Sequence, residues 1–221
     1  AEREPPMTHD ISQRKADHLD LCATDQVAFR RQTTLLSEVR LVHQSLPELS
    51  LDDLDLRTEL LGKTLRAPLV IAAMTGGHER AEEINRTLAG VAERRGYAFG
   101  LGSQRAMLKR PESASTYRVR DVAPSALVLG NIGVVQAREM ATADVARMVH
   151  AIGADALCVH LNPAMELVQP EGDRDFRGCL AAIGRLVNEL GVPVVAKETG
   201  NGLSRRTLAQ LRYVGVQHVD T

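Results

Sequence analysis

Polar residues able to do chemistry stand directly behind short apolar runs in this chain. Met74-Thr75-Gly76-Gly77 offers a hydroxyl and unhindered backbone N–H groups. Glycines there let a flat ring or an anion approach the backbone, although the same residues also read as a plain strand-to-helix turn. Ser103-Gln104-Arg105 puts a hydroxyl, an amide and a guanidinium at one run's end. An Arg fork matches phosphate, against the ordinary fate of a loop arginine, which is solvation. Asn131 can read a carbonyl or ring nitrogen, or merely form a turn. His160 and Asn162 share a face, and Glu166, Gln169, Glu171, Asp173 and Arg174 follow in one loop. Glu166 and its neighbours can hold Mg²⁺ through oxygen ligands and waters, or form a solvated acidic loop. Lys197 follows Val194-Val195-Ala196. Inside a barrel it can form a Schiff base or stabilise an anionic cofactor; snorkelling outwards is the plainer alternative. Arg14-Lys15-x-x-His18 is a basic cluster that can close as a lid over a phosphorylated substrate, or simply lie exposed.

The elements that must position these groups follow from the apolar pattern. Short runs at 68–74, 98–102, 126–131, 156–161 and 193–197, with a last one starting at 217–219, read as strands buried on both faces. Amphipathic stretches at 81–95, 143–152, 177–190 and 204–213 separate them, with Asp173 and Ser204 as N-caps and Gly96, Gly153, Gly191 and Gly215 as C-caps. Strand–helix–strand repetition implies a parallel sheet, either a Rossmann sheet or a TIM barrel. The first turn is not G-x-G-x-x-G, and polar residues end almost every strand, Asp220 included. A TIM (β/α)8 barrel gathers such ends at one mouth, so the expected fold is α/β barrel. Only five full strands and the start of a sixth are expected, so the chain stops in mid-fold. Residues 67–221 form the partial barrel, and residues 1–66 a polar segment capping its mouth.

Composition narrows the function classes. Of 221 residues, 44% are hydrophobic and 25% charged, and the net charge of −1 suggests neither a nucleic-acid nor a membrane partner. Three Phe, three Tyr and no Trp leave the core to Ala, Leu and Val, which disfavours a β-sandwich. No apolar run reaches transmembrane length, and the polar start is no signal peptide. Three separated cysteines (Cys22, Cys158, Cys179) argue against a disulfide framework or zinc site and for a reducing, cytoplasmic compartment.

Taken in order, Arg14-Lys15-x-x-His18, Met74-Thr75-Gly76-Gly77, Gly102-Ser103-Gln104-Arg105, Asn131-Ile132-Gly133, His160-Leu161-Asn162, Gln169 to Phe176 and Lys197-Glu198-Thr199-Gly200-x-Gly202 resemble type 2 isopentenyl diphosphate isomerases. The resemblance runs from about Ser12 to the C-terminus, and the ordered set is specific where each motif alone is weak. It implies a TIM-barrel flavoenzyme that interconverts isopentenyl and dimethylallyl diphosphate in isoprenoid synthesis. It further implies FMN, reduced commonly by NADPH and acting through N5 as acid and base, with Mg²⁺ on the diphosphate and assembly into homo-tetramers or homo-octamers. Carried over by motif, Ala73, Met74, Thr75, Ser103, Asn131 and Lys197 contact FMN, with Lys197 near N1. Arg14, Lys15, Ser103, Gln104 and Arg105 hold the diphosphate. His160 and Asn162 line the substrate pocket, His160 in the catalytic set, and Glu166 binds Mg²⁺.

Two departures from the family pattern carry expectations of their own. Met165 stands where the family has a catalytic glutamine, and Met has no amide proton to offer, so catalysis is expected to be lost or altered. The family's glycine-rich flavin-phosphate segments would follow Asp220, so either further residues exist or FMN binds poorly. Two other readings stand beside the isomerase. One is a different FMN barrel, such as a 2-hydroxy-acid oxidase or a dihydroorotate-type dehydrogenase. The other is a catalytically impaired diphosphate-binding variant.

Overall fold

The computed structural model describes residues 17, 19–27, 30, 36–170 and 172–221. Six strands, β3 (Val70–Ile71), β4 (Ala98–Gly100), β5 (Val128–Gly133), β6 (Ala156–Leu161), β7 (Val194–Glu198) and β8 (His218–Asp220), pair in parallel and in chain order. A Rossmann sheet reverses its strand order at the centre; a barrel wall does not. The expected barrel architecture is the one that forms. Before it lies an antiparallel hairpin, β1 (Thr58–Leu60) and β2 (Lys63–Leu65).

The helices between the strands follow the amphipathic stretches closely. They are α1 (Glu79–Arg95), α2 (Arg105–Lys109), α3 (Val134–Glu139), α4 (Thr142–Ala151), α5 (Pro163–Val168), α6 (Cys179–Glu189) and α7 (Arg205–Tyr213). Ser204 caps α7, its Oγ accepting from the Thr207 N–H at 3.1 Å, and Gly96 ends α1 in the left-handed region at φ 69°. Asp173 is not the cap of α6. Gly178 holds that position at φ 77°, because the segment containing Asp173 folds back towards α5 instead. The short helices α2, α3 and α5 are too brief to leave a periodic signal. Among the described residues, no helix is long and apolar enough to cross a membrane.

Both faces of the strands are buried, and they meet different neighbours. Leu157, Val159, Val194 and Ala196 pack outwards against Val145, Met148, Val149, Ile183 and Leu186 of the helices. Ala98, Leu129, Ala156, Cys158 and Val195 form the inner cluster together with Leu65 of the hairpin. Two of the scarce aromatics, Phe99 and Tyr117, are fully buried near β4.

The hairpin closes the N-terminal end of the wall. Lys63 Nζ donates to the carbonyls of Ser125 and Ala126, both at 3.2 Å, and ion-pairs with Asp155 at 2.9 Å. These residues immediately precede β5 and β6. Mouth-capping by residues 1–66 therefore does not hold for 58–65: Leu60, Leu61 and Leu65 are drawn into the apolar floor, at the opposite end from the mouth.

Asp155 is the hub of that floor. Its carboxylate also accepts from Arg120 at 2.5 Å and from the Val128 N–H at 2.8 Å. Burial pushes the Asp155 carboxyl up, but Lys63, the Val128 N–H and Arg120 more than offset this and hold it below the ordinary value. Asp155→Asn should cost about 1–3 kcal/mol in urea unfolding at neutral pH, since it leaves two shielded cations short of a partner. Because the folded carboxyl titrates below the unfolded one, that difference should be complete at neutral pH. It should shrink as pH falls below about 4 and on through the lowered folded value.

Candidate active site

Strand register decides what reaches the C-terminal mouth. Gly133 pairs with His160, His160 with Lys197, and Lys197 with Asp220. Paired residues of a parallel sheet point to the same side, so these four positions form one row. The row beneath is Asn131, Cys158, Val195 and His218. Cys158 and Val195 belong to the inner cluster, so both rows face the barrel interior. Burial pushes the Cys158 thiol up to about 12, despite the opposing influence of Lys197, so it sits below the mouth as a neutral packing group.

Asn131 and His160 come together at the ends of β5 and β6. Asn131 Oδ1 lies 2.7 Å from His160 Nδ1. A carbonyl oxygen only accepts, so in this arrangement Nδ1 is the donor and carries the proton. Asn131 is itself held by Gln104, whose Oε1 accepts the Asn131 N–H at 2.9 Å and whose own N–H donates to the Asn131 carbonyl at 2.8 Å. Gln104 Nε2 contacts Met107 Sδ at 3.4 Å, and the residue is fully buried. Its side chain is thus turned to the next strand's backbone and not to the mouth.

The Gly-Gly turn has a local explanation that sequence alone did not reveal. A Cβ on Gly76 would stand 2.0 Å from the Tyr117 ring, so glycine is required for Tyr117 to pack there. The flat ring approached by this backbone is the protein's own. Tyr117 donates from its hydroxyl to the Ser103 carbonyl at 2.8 Å, and burial pushes that hydroxyl well above its ordinary value. Thr116, one residue earlier, accepts the Gly77 N–H at 2.8 Å. Thr75 is fully buried, and its Oγ1 has no hydrogen-bond partner among the described residues. Ala73, Ser103 and Arg105 are half-buried, and Met74 is exposed.

Behind β6, Glu166 organises the loop. The carboxylate is buried, with Oε1 accepting from Asn162 Nδ2 at 2.9 Å and Oε2 from the Asp173 N–H at 2.9 Å. Gly172 passes so close that a Cβ would overlap the Glu166 carbonyl. Asp173 in turn accepts from Gln136 Nε2 at 2.9 Å. Met165, next to Glu166 on α5, is half exposed at 49%. Among the described residues, no group of three or more His, Cys, Asp or Glu side chains is arranged to hold a metal ion.

Behind β7, Lys197 Nζ ion-pairs with Asp220 Oδ2 at 2.5 Å. Glu198 points the other way. Its Oε2 accepts the N–H groups of Gly200, Asn201 and Gly202, at 2.7, 2.5 and 2.9 Å. Burial raises the Glu198 carboxyl, but these donors outweigh it and the net shift is downward. An acid followed by a Gly-x-Gly turn is the signal that could have found this nest. Tyr117 and the partner of Lys197 left no signal in spacing. Arg14, Lys15, His18 and Glu171 lie outside the described residues.

Comparison with known proteins gives the chain its relatives. A family profile described as FMN-dependent dehydrogenase matches residues 7–177. The chain is 50% identical over 211 residues to an isopentenyl-diphosphate delta-isomerase of Synechococcus sp., covering 95% of this chain and 61% of the relative. It is 47% identical over 216 residues to one of Aeropyrum pernix, covering 97% and 57%. It is 44% identical over 215 residues to one of Methanosarcina acetivorans, covering 97% and 59%. The chain thus spans about three-fifths of the length of these curated relatives. Among solved structures, a mandelate oxidase mutant with a monooxide FMN adduct superposes with a TM-score of 0.53 at 14% identity. That match covers 77% of this chain and 51% of the other, and it carries the fold alone. The chain belongs to the FMN-dependent dehydrogenase family.

Proposed function

We propose that the full-length protein interconverts isopentenyl and dimethylallyl diphosphate, with reduced FMN seated in the barrel mouth. The observation that carries this reading is the 50% identity to a relative of that name along 95% of the chain. The mouth chemistry supports it: an amide, an imidazole and an ammonium from three consecutive strands face one interior.

The residues fit a flavin. Thr75 brings a buried hydroxyl without a partner among the described residues, and Lys197 brings a shielded cation to the same strand ends. Bound and reduced, FMN would supply the proton donor and acceptor that an unactivated alkene requires. Thr75, Ser103 and Asn131, with Ala73 and Met74, would hold the ring, and Lys197 would offset its negative charge. His160, steered by Asn131, would orient substrate beside Asn162. Arg14, Lys15, Ser103 and Arg105 would clamp the diphosphate. Gln104 would serve that clamp indirectly, by locking Asn131 and the turn that carries Arg105.

Each Glu166 oxygen accepts one hydrogen bond and keeps a second lone pair, while no group of three or more ligating side chains surrounds it among the described residues, so Glu166 would hold Mg²⁺ only together with the diphosphate and water. In this reading Mg²⁺ arrives on the diphosphate, as part of the substrate. NADPH is the external reductant, and the protein works as a cytoplasmic homo-oligomer. Exposed leucines between residues 36 and 56, Leu41 and Leu51 among them, give such an assembly apolar surface.

A second reading is favoured by the description of the family profile: an FMN barrel that performs net oxidation. The two separate in one assay. Anaerobic incubation of the full-length protein with isopentenyl diphosphate, FMN, NADPH and Mg²⁺ should give dimethylallyl diphosphate without net NADPH consumption. Oxygen or dye reduction driven by a 2-hydroxy acid would instead establish the oxidase. Met165 removes an amide donor at the substrate side, so Met165→Gln should raise kcat/KM roughly tenfold or more. An equal rate in both proteins would show that the amide is dispensable. Gln104→Met should cost about 1–3 kcal/mol in urea unfolding, through the unpaired Asn131 N–H. Unchanged stability would return Gln104 to the diphosphate.

A further inference from the structure

The upper row of the barrel wall holds a charged pair that the proposed reaction leaves unexplained. Lys197 Nζ and Asp220 Oδ2 are 2.5 Å apart, with the lysine side chain 18% and the aspartate 48% exposed. The two are register partners on β7 and β8, so backbone pairing sets the contact. On its other side in the same row, Lys197 has His160, a group without fixed charge. Beneath lies the neutral Cys158 thiol. The neighbouring carboxylate of Glu198 is occupied by three backbone N–H groups of its own loop. Asp220 is therefore the fixed negative charge that Lys197 meets along this row.

We propose that Asp220 is a positioning residue for flavin reduction: it holds the Lys197 ammonium at the mouth and tempers its charge, keeping the bound flavin's reduction potential low. This rests on the FMN reading above. Taking up two electrons from an added reductant and one proton from solvent leaves the flavin ring with one negative charge. A bare ammonium beside that ring favours the reduced form strongly. An ammonium already paired with a carboxylate favours it less, because in a shielded mouth the two fields partly cancel at a distance of several ångströms. The three N–H donors of the ammonium let it serve Asp220 and a ring acceptor together.

The test is a reductive titration of the FMN-loaded full-length protein against an indicator dye, with oxidised-FMN binding measured by equilibrium dialysis. Asp220→Asn should favour reduced over oxidised flavin by about tenfold, a positive shift of about 30 mV for a two-electron couple. Asp220→Glu should return the potential towards wild type. In a Lys197→Met background, Asp220→Asn should move the potential little, because the cation it tempers is gone. If Asp220→Asn loses FMN, Asp220→Ser provides the same measurement. An unchanged potential with FMN bound one to one would overturn the proposal, as would an equal shift without Lys197. A wild-type protein that binds no FMN would overturn the flavin reading, and the proposal with it.

Discussion

Parallel pairing from β5 to β8, in one unbroken register, sets the height and direction of every interior side chain. Side chains alternate across a strand with period two, so a slip of one residue would turn Asn131, His160 and Lys197 out towards the helices. It would also bring Leu157, Val159, Val194 and Ala196 inside. Those outward residues are buried against α4 and α6, and burying each large one is worth roughly 1.5–3 kcal/mol. The apolar outer face thus holds the polar inner face in place. The mouth is a by-product of packing done elsewhere on the same strands.

The turns behind the strands secure themselves with buried polar groups used twice over. Gln104 joins the end of β4 to β5 through both its backbone and its side chain. Glu166 ties Asn162, at the start of α5, to Asp173 beyond its end. Glu198 gathers three successive N–H groups of the loop that follows it. Each of these side chains is buried, so leaving any of them unpaired would be costly. That cost makes the loops rigid, and rigid loops hold the neighbouring ligand-facing residues without entropy to lose on binding.

The two ends of the wall divide the work. At the N-terminal end, the hairpin leucines fill the floor, and Lys63 and Arg120 converge on Asp155. Lys63 and Arg120 both find their ion-pair partner in that one carboxylate. At the C-terminal end stand a buried hydroxyl without a partner among the described residues and a largely shielded lysine paired with a half-exposed aspartate. Barrels place stability at one end and chemistry at the other because side chains fill the interior between them, leaving only the loops free to vary.

Much of this was legible in the residues themselves. Short apolar runs separated by amphipathic stretches determined a parallel barrel wall, and the β6 expectation at 156–161 matches the strand residue for residue. Asn131, His160 and Lys197 could be placed at strand ends because period and position along a strand are local properties. The hairpin at 58–65 was missed, since strands of three residues are too short to show alternation. The roles of Gln104, Glu166 and Tyr117 were not readable, and neither was the Lys197–Asp220 pair. Each depends on contacts between residues 4 to 41 positions apart, and spacing says nothing about which buried polar group a distant backbone will meet. The sequence by itself determined which residue types stand at the mouth. Only the tertiary structure decided which of them are spent on holding the protein together and which remain open to a ligand.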